Sequence, residues 1–290
     1  MALKLQSKRL KGLSQVNESF LVEVQTIGSI HHVNLVKLIG FCFQKSHRLL
    51  VYEHMANGSL DRWIFDKDQS HSLPWHTRRK IIKDIAKGLA YLHEECSQKI
   101  IHFDIKPQNI LLDQKFNAKV SDFGLSKLIE KDQSRVFTRM RGTPGYLAPE
   151  WLRSNVTEKV DVYSFGILVL EIICGRKNLD WSRDDDEDSH LLDLFKKKAE
   201  DGTVRELVDE KSEDMQIHVK EAEEVMKIAA WCLQHDSTKR PSMSQIVKAL
   251  EGFMPSETNL QHSFSYPSVE DGQKDSDASL IMASHLSGPR

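Results

Sequence analysis

The stretch Ile100–Asp113, "IIHFDIKPQNILLD", constrains the fold of this chain more than any other. Both of its ends are apolar and strand-like. Between them His102, Asp104, Lys106 and Asn109 break the run before the apolar residues resume. A second polar set follows closely: after the strand-like "AKV" comes "SDFG", which carries Asp122. Three polar groups and a second aspartate on adjacent loops make a compact set. Asn109 and Asp122 offer hard oxygen ligands of the kind that suit Mg2+. Asp104 is placed to accept a hydroxyl proton, and Lys106 to neutralise charge on a transferring phosphoryl group. Such an assembly fits phosphoryl transfer, where positioning and electrostatics supply nearly all the catalysis. Each spacing alone is what an ordinary turn would give, so the inference rests on the joint pattern.

The rest of the chain sets the frame. With 290 residues, 28% of them charged and a net charge of −2, it is long enough to bury a core in one large domain or two lobes. The near-balanced charge gives no argument for nucleic acid or an anionic membrane as partner. Cys42, Cys96, Cys174 and Cys232 lie far apart and read as reduced core thiols. "MALKLQSKRLKG" has no apolar signal core. The longest apolar stretch, "VYSFGILVLEIICG", is too short to span a bilayer and contains Glu171, so it reads as a buried helix ending at Gly175. The expectation is a soluble, cytoplasmic chain with no transmembrane segment.

Residues 17–30 place Phe20, Val24 and Ile27 on one helical face, with Glu23 nearby. "LVKLIGFCF" and "HRLLVYEHM" read as short strands. "ANGSLD" reads as a turn and helix start, with Gly58 as hinge and Ser59 as a possible cap. Ile82, Ile85, Leu89 and Leu92 recur at helical spacing behind Pro74, which suits a first turn. From about residue 156 the chain reads as helical, interrupted by a loop at "WSRDDDEDSH". Its acidic run Asp184–Asp188 reads as a solvated loop, with a docking patch for basic partners as the alternative.

"HFDIKPQN", "DFG" and "GTPGYLAPE" occur in that order and spacing, which is a very specific combination. On these residues the chain resembles a eukaryotic protein kinase from about Lys8 to Phe253. "HHVNLVKLIGFC", "LVYEHMANGSL", "DVYSFGILVLEII" and "KRPSM" resemble the plant receptor-like kinases. "HFDIKP" and the terminal "LSGPR" resemble the S-domain (G-type lectin) group among them. The resemblance implies an α+β, protein-kinase-like two-lobed fold. Its parts would be a small β lobe at 1–55, a mainly helical large lobe at 56–254 and a disordered Ser-rich tail at 255–290. It implies ATP and Mg2+ as cofactors and protein Ser or Thr hydroxyls as substrates. It also implies a parent family at the plasma membrane and association with full-length receptor kinases.

Carried over residue by residue, Asp104 resembles the catalytic base, and Lys106 the lysine that contacts the γ-phosphate. Asn109 and Asp122 resemble the metal ligands. Lys8 resembles the strand lysine that holds the α- and β-phosphates, with Glu23 as its helix partner; the alternative is one more solvated basic residue in "KRLKG". Tyr52 falls at the gatekeeper position. Glu53–Met55 resemble the hinge whose backbone bonds adenine, and Leu111 would lie beneath the ring. Thr143 resembles the substrate-loop threonine of Ser/Thr kinases. Glu150 and Arg240 resemble a buried ion pair, Asp161 an anchor for the catalytic loop, and Ile27, Leu38, His102 and Phe123 the stack that joins the lobes. The Ser-rich tail reads as solvated, with autophosphorylation as the functional alternative.

Two places depart from the pattern. Phe103 stands where many kinases have an arginine that pairs with a phosphorylated activation loop, and a phenylalanine has no donor for phosphate. The chain therefore resembles the non-RD subgroup, in which phosphorylation at Ser134 or Thr138 is not the main switch. The second departure precedes Lys8. "MALKLQS" contains no glycine, so the Gly-rich loop of the family is not matched, and Gln6 replaces a small residue expected to pack on adenine. The expectation is a truncated small lobe with an exposed sheet edge, produced by a real truncation or by an incomplete gene model. Two functions stay open: a protein Ser/Thr kinase, or a catalytically impaired kinase-like binding module.

Overall fold

A computed structural model describes residues 4–10, 15–44, 47–65, 72–130, 136–137, 140–153, 155–180 and 190–253. The acidic run Asp184–Asp188, Ser134, Thr138 and the tail from Pro255 lie outside the described residues.

The amino-terminal part is an antiparallel sheet of β1 (Leu5–Leu10), β2 (Leu38–Gln44) and β3 (His47–Glu53) in the order β1-β3-β2. β3 lies in the middle, and alternate residues turn inward, Leu50 completely so. Helix α1 (Gln15–Ile27) packs on the sheet through Phe20, whose ring centroid lies 6.1 Å from Phe41 and 5.7 Å from Phe43. The buried face of α1 is Phe20, Glu23, Thr26 and Ile27, not the expected Phe20, Val24 and Ile27. The helix is turned so that Glu23 points inward, because a cation waits there to compensate it.

The carboxy-terminal part is built around α4 (Lys159–Cys174), in which every residue from Val160 to Cys174 is buried. A helix buried on every side has no solvent face, so neighbours must cover all of it. These include α3 (Trp75–Ala90), α5 (Leu191–Glu200) and α6 (Val219–Cys232), with α7 (Met243–Leu250) packed on α3. α4 ends at Gly175 with φ +63°, and a Cβ there would sit 2.7 Å from the Asp209 carboxyl, so only glycine closes this turn. Among the described residues no helix is long and apolar enough to cross a membrane.

Two small hairpin-like pairs lie between these parts. β4 (Lys99–Ile101) pairs with β7 (Lys127–Ile129), and β5 (Ile110–Leu112) with β6 (Ala118–Val120). They clamp the polar loops 102–109 and 121–126 side by side. Bonds from Val36 N–H to Val120 O (3.0 Å) and from Val120 N–H to Asn34 O (2.9 Å) tie the upper part to β6. Between the two parts lies the short helix α2 (Asp61–Ile64). Gly58 takes φ +63° as a hinge should. Ser59 does not cap α2: Leu60 holds the N-cap position without a side-chain bond, and Ser59 bridges to Leu111 instead. Pro74 stands at the N-cap of α3, one residue ahead of the first turn.

Candidate active site

The loop after β4 is shaped from below. Asp161, fully buried in the first turn of α4, accepts the backbone N–H of His102 at 2.8 Å and of Phe103 at 2.9 Å. The same carboxylate meets His93 Nε2 at 2.8 Å. This grip holds Phe103 at φ +68°, a region that bulky side chains avoid. Its ring is buried against Trp151, centroids 5.1 Å apart. Gly142 makes room for the arrangement, since a Cβ there would lie 2.7 Å from the Phe103 carbonyl oxygen.

On this anchored turn the polar residues converge. Asp104 Oδ1 accepts the Thr143 hydroxyl at 2.6 Å. Its Oδ2 accepts Asn109 Nδ2 at 2.9 Å and pairs with Lys106 Nζ at 2.9 Å. Lys106 also donates to Thr143 Oγ1 at 2.8 Å. Asp104, Lys106, Asn109 and Thr143 thus form one closed network. Asn109 Nδ2 is spent on Asp104, which leaves its amide oxygen as the atom able to face a cation.

A second cluster joins residues far apart in the chain. Lys8 Nζ lies 2.8 Å from Asp122 Oδ1 and 3.4 Å from Glu23 Oε2. The Tyr52 hydroxyl donates to Glu23 Oε1. Burial works to lower the Lys8 pKa, but the two carboxylates outweigh it and the net shift is upward. Burial raises Glu23, with Lys8 offsetting part of the rise. Asp122 goes down: burial opposes ionisation, and Lys8, His102 and the Gly124 N–H overcome it. Lys8 is therefore a cation and Asp122 an anion at neutral pH. His102 stacks edge-on against Phe123 at 5.0 Å, with Ile27 buried and Leu38 half-buried in the same core.

Next to these clusters opens a cleft of about 780 Å3, lined by Leu5, Gln6, Met55, Gly58, Gln108 and Leu111 among others. That is the size of a typical small-molecule site. Gln6 is exposed on its wall. Met55 and Leu111 face the cleft, whereas Glu53 does not line it. The Glu53 carboxylate turns away, to the Lys37 N–H at 2.8 Å and to Lys119 at 2.7 Å.

One group of residues escaped the sequence reading. Glu171, on α4, accepts the Tyr146 hydroxyl at 2.7 Å and the Asn178 N–H at 2.8 Å. Asn178 Nδ2 in turn donates to Gly145 O at 2.6 Å, and Ser164 Oγ to Tyr146 O at 2.8 Å. The loop carrying Thr143 is thereby fastened to the core helix. The available signal was a carboxylate in the middle of the apolar run "FGILVLEIIC". Burial pushes Glu171 up to about 7, although both donors favour its ionised form. Since a free glutamate titrates near 4.5, ionising Glu171 opposes folding. The cost is absent at low pH, grows through this interval and is complete above about 7. Glu171→Gln is expected to remove this component, so that wild type loses melting temperature relative to the variant as pH rises from about 4.5 to 8. Thermal melts at stepped pH measure it, and a gap independent of pH would refute it.

The family model for the protein kinase domain matches residues 1–250. The chain belongs to the protein kinase domain family. The kinase domain is 52% identical over 254 residues to the Arabidopsis thaliana G-type lectin S-receptor-like serine/threonine-protein kinase SD2-5, an alignment covering 87% of this chain and 31% of the relative. It is 46% identical over 239 residues to the similarly named LECRK4 of Oryza sativa subsp. indica, covering 82% of this chain and 29% of the relative. The chain thus spans about a third of the length of the curated relatives it matches. The mixed α/β architecture, with small sheets and a mainly helical lower part, is that of a protein kinase domain.

Proposed function

We propose that this kinase domain transfers the γ-phosphoryl group of ATP to Ser or Thr hydroxyls of proteins. The observation that carries this reading is the closed network of Asp104, Lys106, Asn109 and Thr143 beside a cleft of nucleotide size. The names of the relatives, all serine/threonine-protein kinases, support the substrate class. Asp104 accepts the proton of the attacking hydroxyl, in the place now taken by the Thr143 hydroxyl. Lys106 holds the charge of the moving phosphoryl group. Lys8, kept in place by Glu23, meets the α- and β-phosphates, and Met55, Leu111 and the backbone at Glu53 receive the adenine. Asn109 and Asp122 would hold Mg2+: two hard oxygens suit an ion that completes its shell with phosphate and water. When bound, Mg2+ would neutralise phosphate charge.

The division we infer is a small lobe at 1–55, a large lobe at 56–254 and a tail at 255–290. Phe103, packed on Trp151, has no donor for a phosphorylated loop, which supports a non-RD kinase. The same kinship supports a cytoplasmic position at the plasma membrane, beside full-length receptor kinases.

The test uses the full chain. ATP with Mg2+ is expected to raise its melting temperature, because a ligand bound only by the native state stabilises it. Radiolabel from [γ-32P]ATP is expected on Ser and Thr of a protein substrate, and an alanine pair at Ser134 and Thr138 is expected to keep that transfer. Stabilisation without transfer would replace the enzyme by a kinase-like binding module, and neither response would remove the nucleotide from the reading.

A further inference from the structure

A second cavity, of about 290 Å3, lies beside the nucleotide-sized cleft. Glu53 lines it, and the next two residues, His54 and Met55, line the cleft. The rest of its wall comes from the loop between α1 and β2, through His31, His32, Val33 and Lys37, and from Lys119 of β6. The loop is fixed from below. Leu35 N–H donates to His32 O at 3.1 Å, and Asn34 Nδ2 to Ala118 O at 3.0 Å. Gly88 of α3 lets the loop come close, since a Cβ there would sit 2.9 Å from Asn34 O. The wall is thus in place before any ligand arrives, which spares a ligand the cost of ordering the loop.

The polar groups of the wall are unequally matched. Glu53 Oε1 accepts both the Lys37 N–H at 2.8 Å and Lys119 Nζ at 2.7 Å, so its charge is compensated. Lys37 is exposed, and its ammonium has no hydrogen-bond or ion-pair partner among the described residues. His32 Nδ1 accepts the Asn34 N–H at 3.1 Å, which puts the hydrogen of the neutral ring on Nε2 as a donor. Stacking on Tyr91, centroids 4.8 Å apart, holds that ring, and burial lowers its pKa, so it is neutral at pH 7. Beside these groups Val33 keeps 69% of its surface in water. The wall therefore presents one uncompensated cation, an imidazole N–H and an exposed apolar side chain. Their complement is a single negative charge on an apolar body. A dianion would set its second charge beside the Glu53 carboxylate, with no further cation to meet it.

We infer that this cavity binds a small monocarboxylate with an apolar body, its carboxylate on Lys37 and its body over Val33. The inference goes beyond the kinase reading and does not depend on it. The probe is 2-naphthoate, with the neutral 2-naphthamide as control, each titrated into the 15N-labelled full chain. Naphthoate is expected to shift the backbone amide signals of residues 31–37 and of Glu53. It is also expected to bind about 3- to 10-fold tighter than the amide, the scale of one charge-assisted contact at a part-exposed site. Lys37→Ala is expected to remove that advantage and Lys37→Arg to keep it. Val33→Asp changes an exposed residue, so the fold is kept. It is expected to weaken the acid more than the amide, because it sets a like charge on the rim. Equal affinity for acid and amide would overturn the inference. So would an advantage that survives Lys37→Ala, or a Val33→Asp chain that binds both probes as the wild type does. Shifts at Met55 and Leu111 in place of residues 31–37 would put the probe in the nucleotide cleft and overturn it as well. A chain that binds no nucleotide would end the kinase reading and leave each of these outcomes as decisive as before.

Discussion

Asp104→Asn is expected to lower phosphoryl transfer by about 10²- to 10⁴-fold, the usual contribution of a positioned general base. Nucleotide-induced stabilisation should survive, because the nucleotide cleft is lined by Met55, Leu111 and their neighbours and not by Asp104. The geometry says why a near-isosteric change suffices. One oxygen of Asp104 receives the Thr143 hydroxyl, and the other receives Asn109 and Lys106. An asparagine keeps the side toward Asn109 and Lys106 only if its amide oxygen faces them. Its NH2 then faces the hydroxyl site, where a donor replaces the acceptor that the reaction needs. The loop keeps its shape, since its backbone is fixed by Asp161. Radiolabel transfer at saturating ATP, with a thermal melt of each protein, measures the effect. Transfer within about threefold of wild type would remove Asp104 from the role of base.

What the sequence made legible, and what it hid, follows the range of the interactions involved. Asp104, Lys106 and Asn109 fall within six residues, so a loop between two strands brings them together by local geometry alone. Helices α3 and α4 were legible because their apolar spacing is local too. The partners of those elements were not. Arg78 is buried on α3, and its guanidinium meets Asp209 at 2.6 Å across 131 residues. Nothing in the helical periodicity around Arg78 announces that carboxylate. The face of α1 was misjudged for the same reason. Periodicity ranks Val24 above Glu23 as an inward residue, until Lys8 and Tyr52 arrive from the sheet to compensate the charge. Ser59 reads as a cap because capping is a local preference, yet the bridge to Leu111 claims its backbone first. Glu53 was read for its backbone, and only the fold shows its carboxylate spent on Lys37 and Lys119.

Glu150→Ala is expected to destabilise the chain by about 3–5 kcal/mol, the usual cost of leaving one member of a buried ion pair uncompensated. The Arg240 side chain is fully buried, and its guanidinium meets Glu150 through two bonds, at 2.6 and 2.8 Å. Such a fork matches the carboxylate in shape as well as charge. Arg240 also donates to the carbonyls of Gln234 (2.7 Å) and Lys159 (2.9 Å) and stacks on Tyr163, with the guanidinium carbon 4.9 Å from the ring centroid. After Glu150→Ala those contacts persist, so the guanidinium is held in place without its counter-charge. The loss is therefore one of charge compensation, and a second substitution separates it from lost packing. The double variant Glu150→Met/Arg240→Met removes both charges and is expected to be less destabilised than Glu150→Ala alone. Urea denaturation of the three proteins reads the difference as a shift in midpoint at constant slope. If the double variant were the less stable of the two, the bonds from Arg240 to the chain, and not its pairing with Glu150, would be what braces the segment after Ala148 to the core helix.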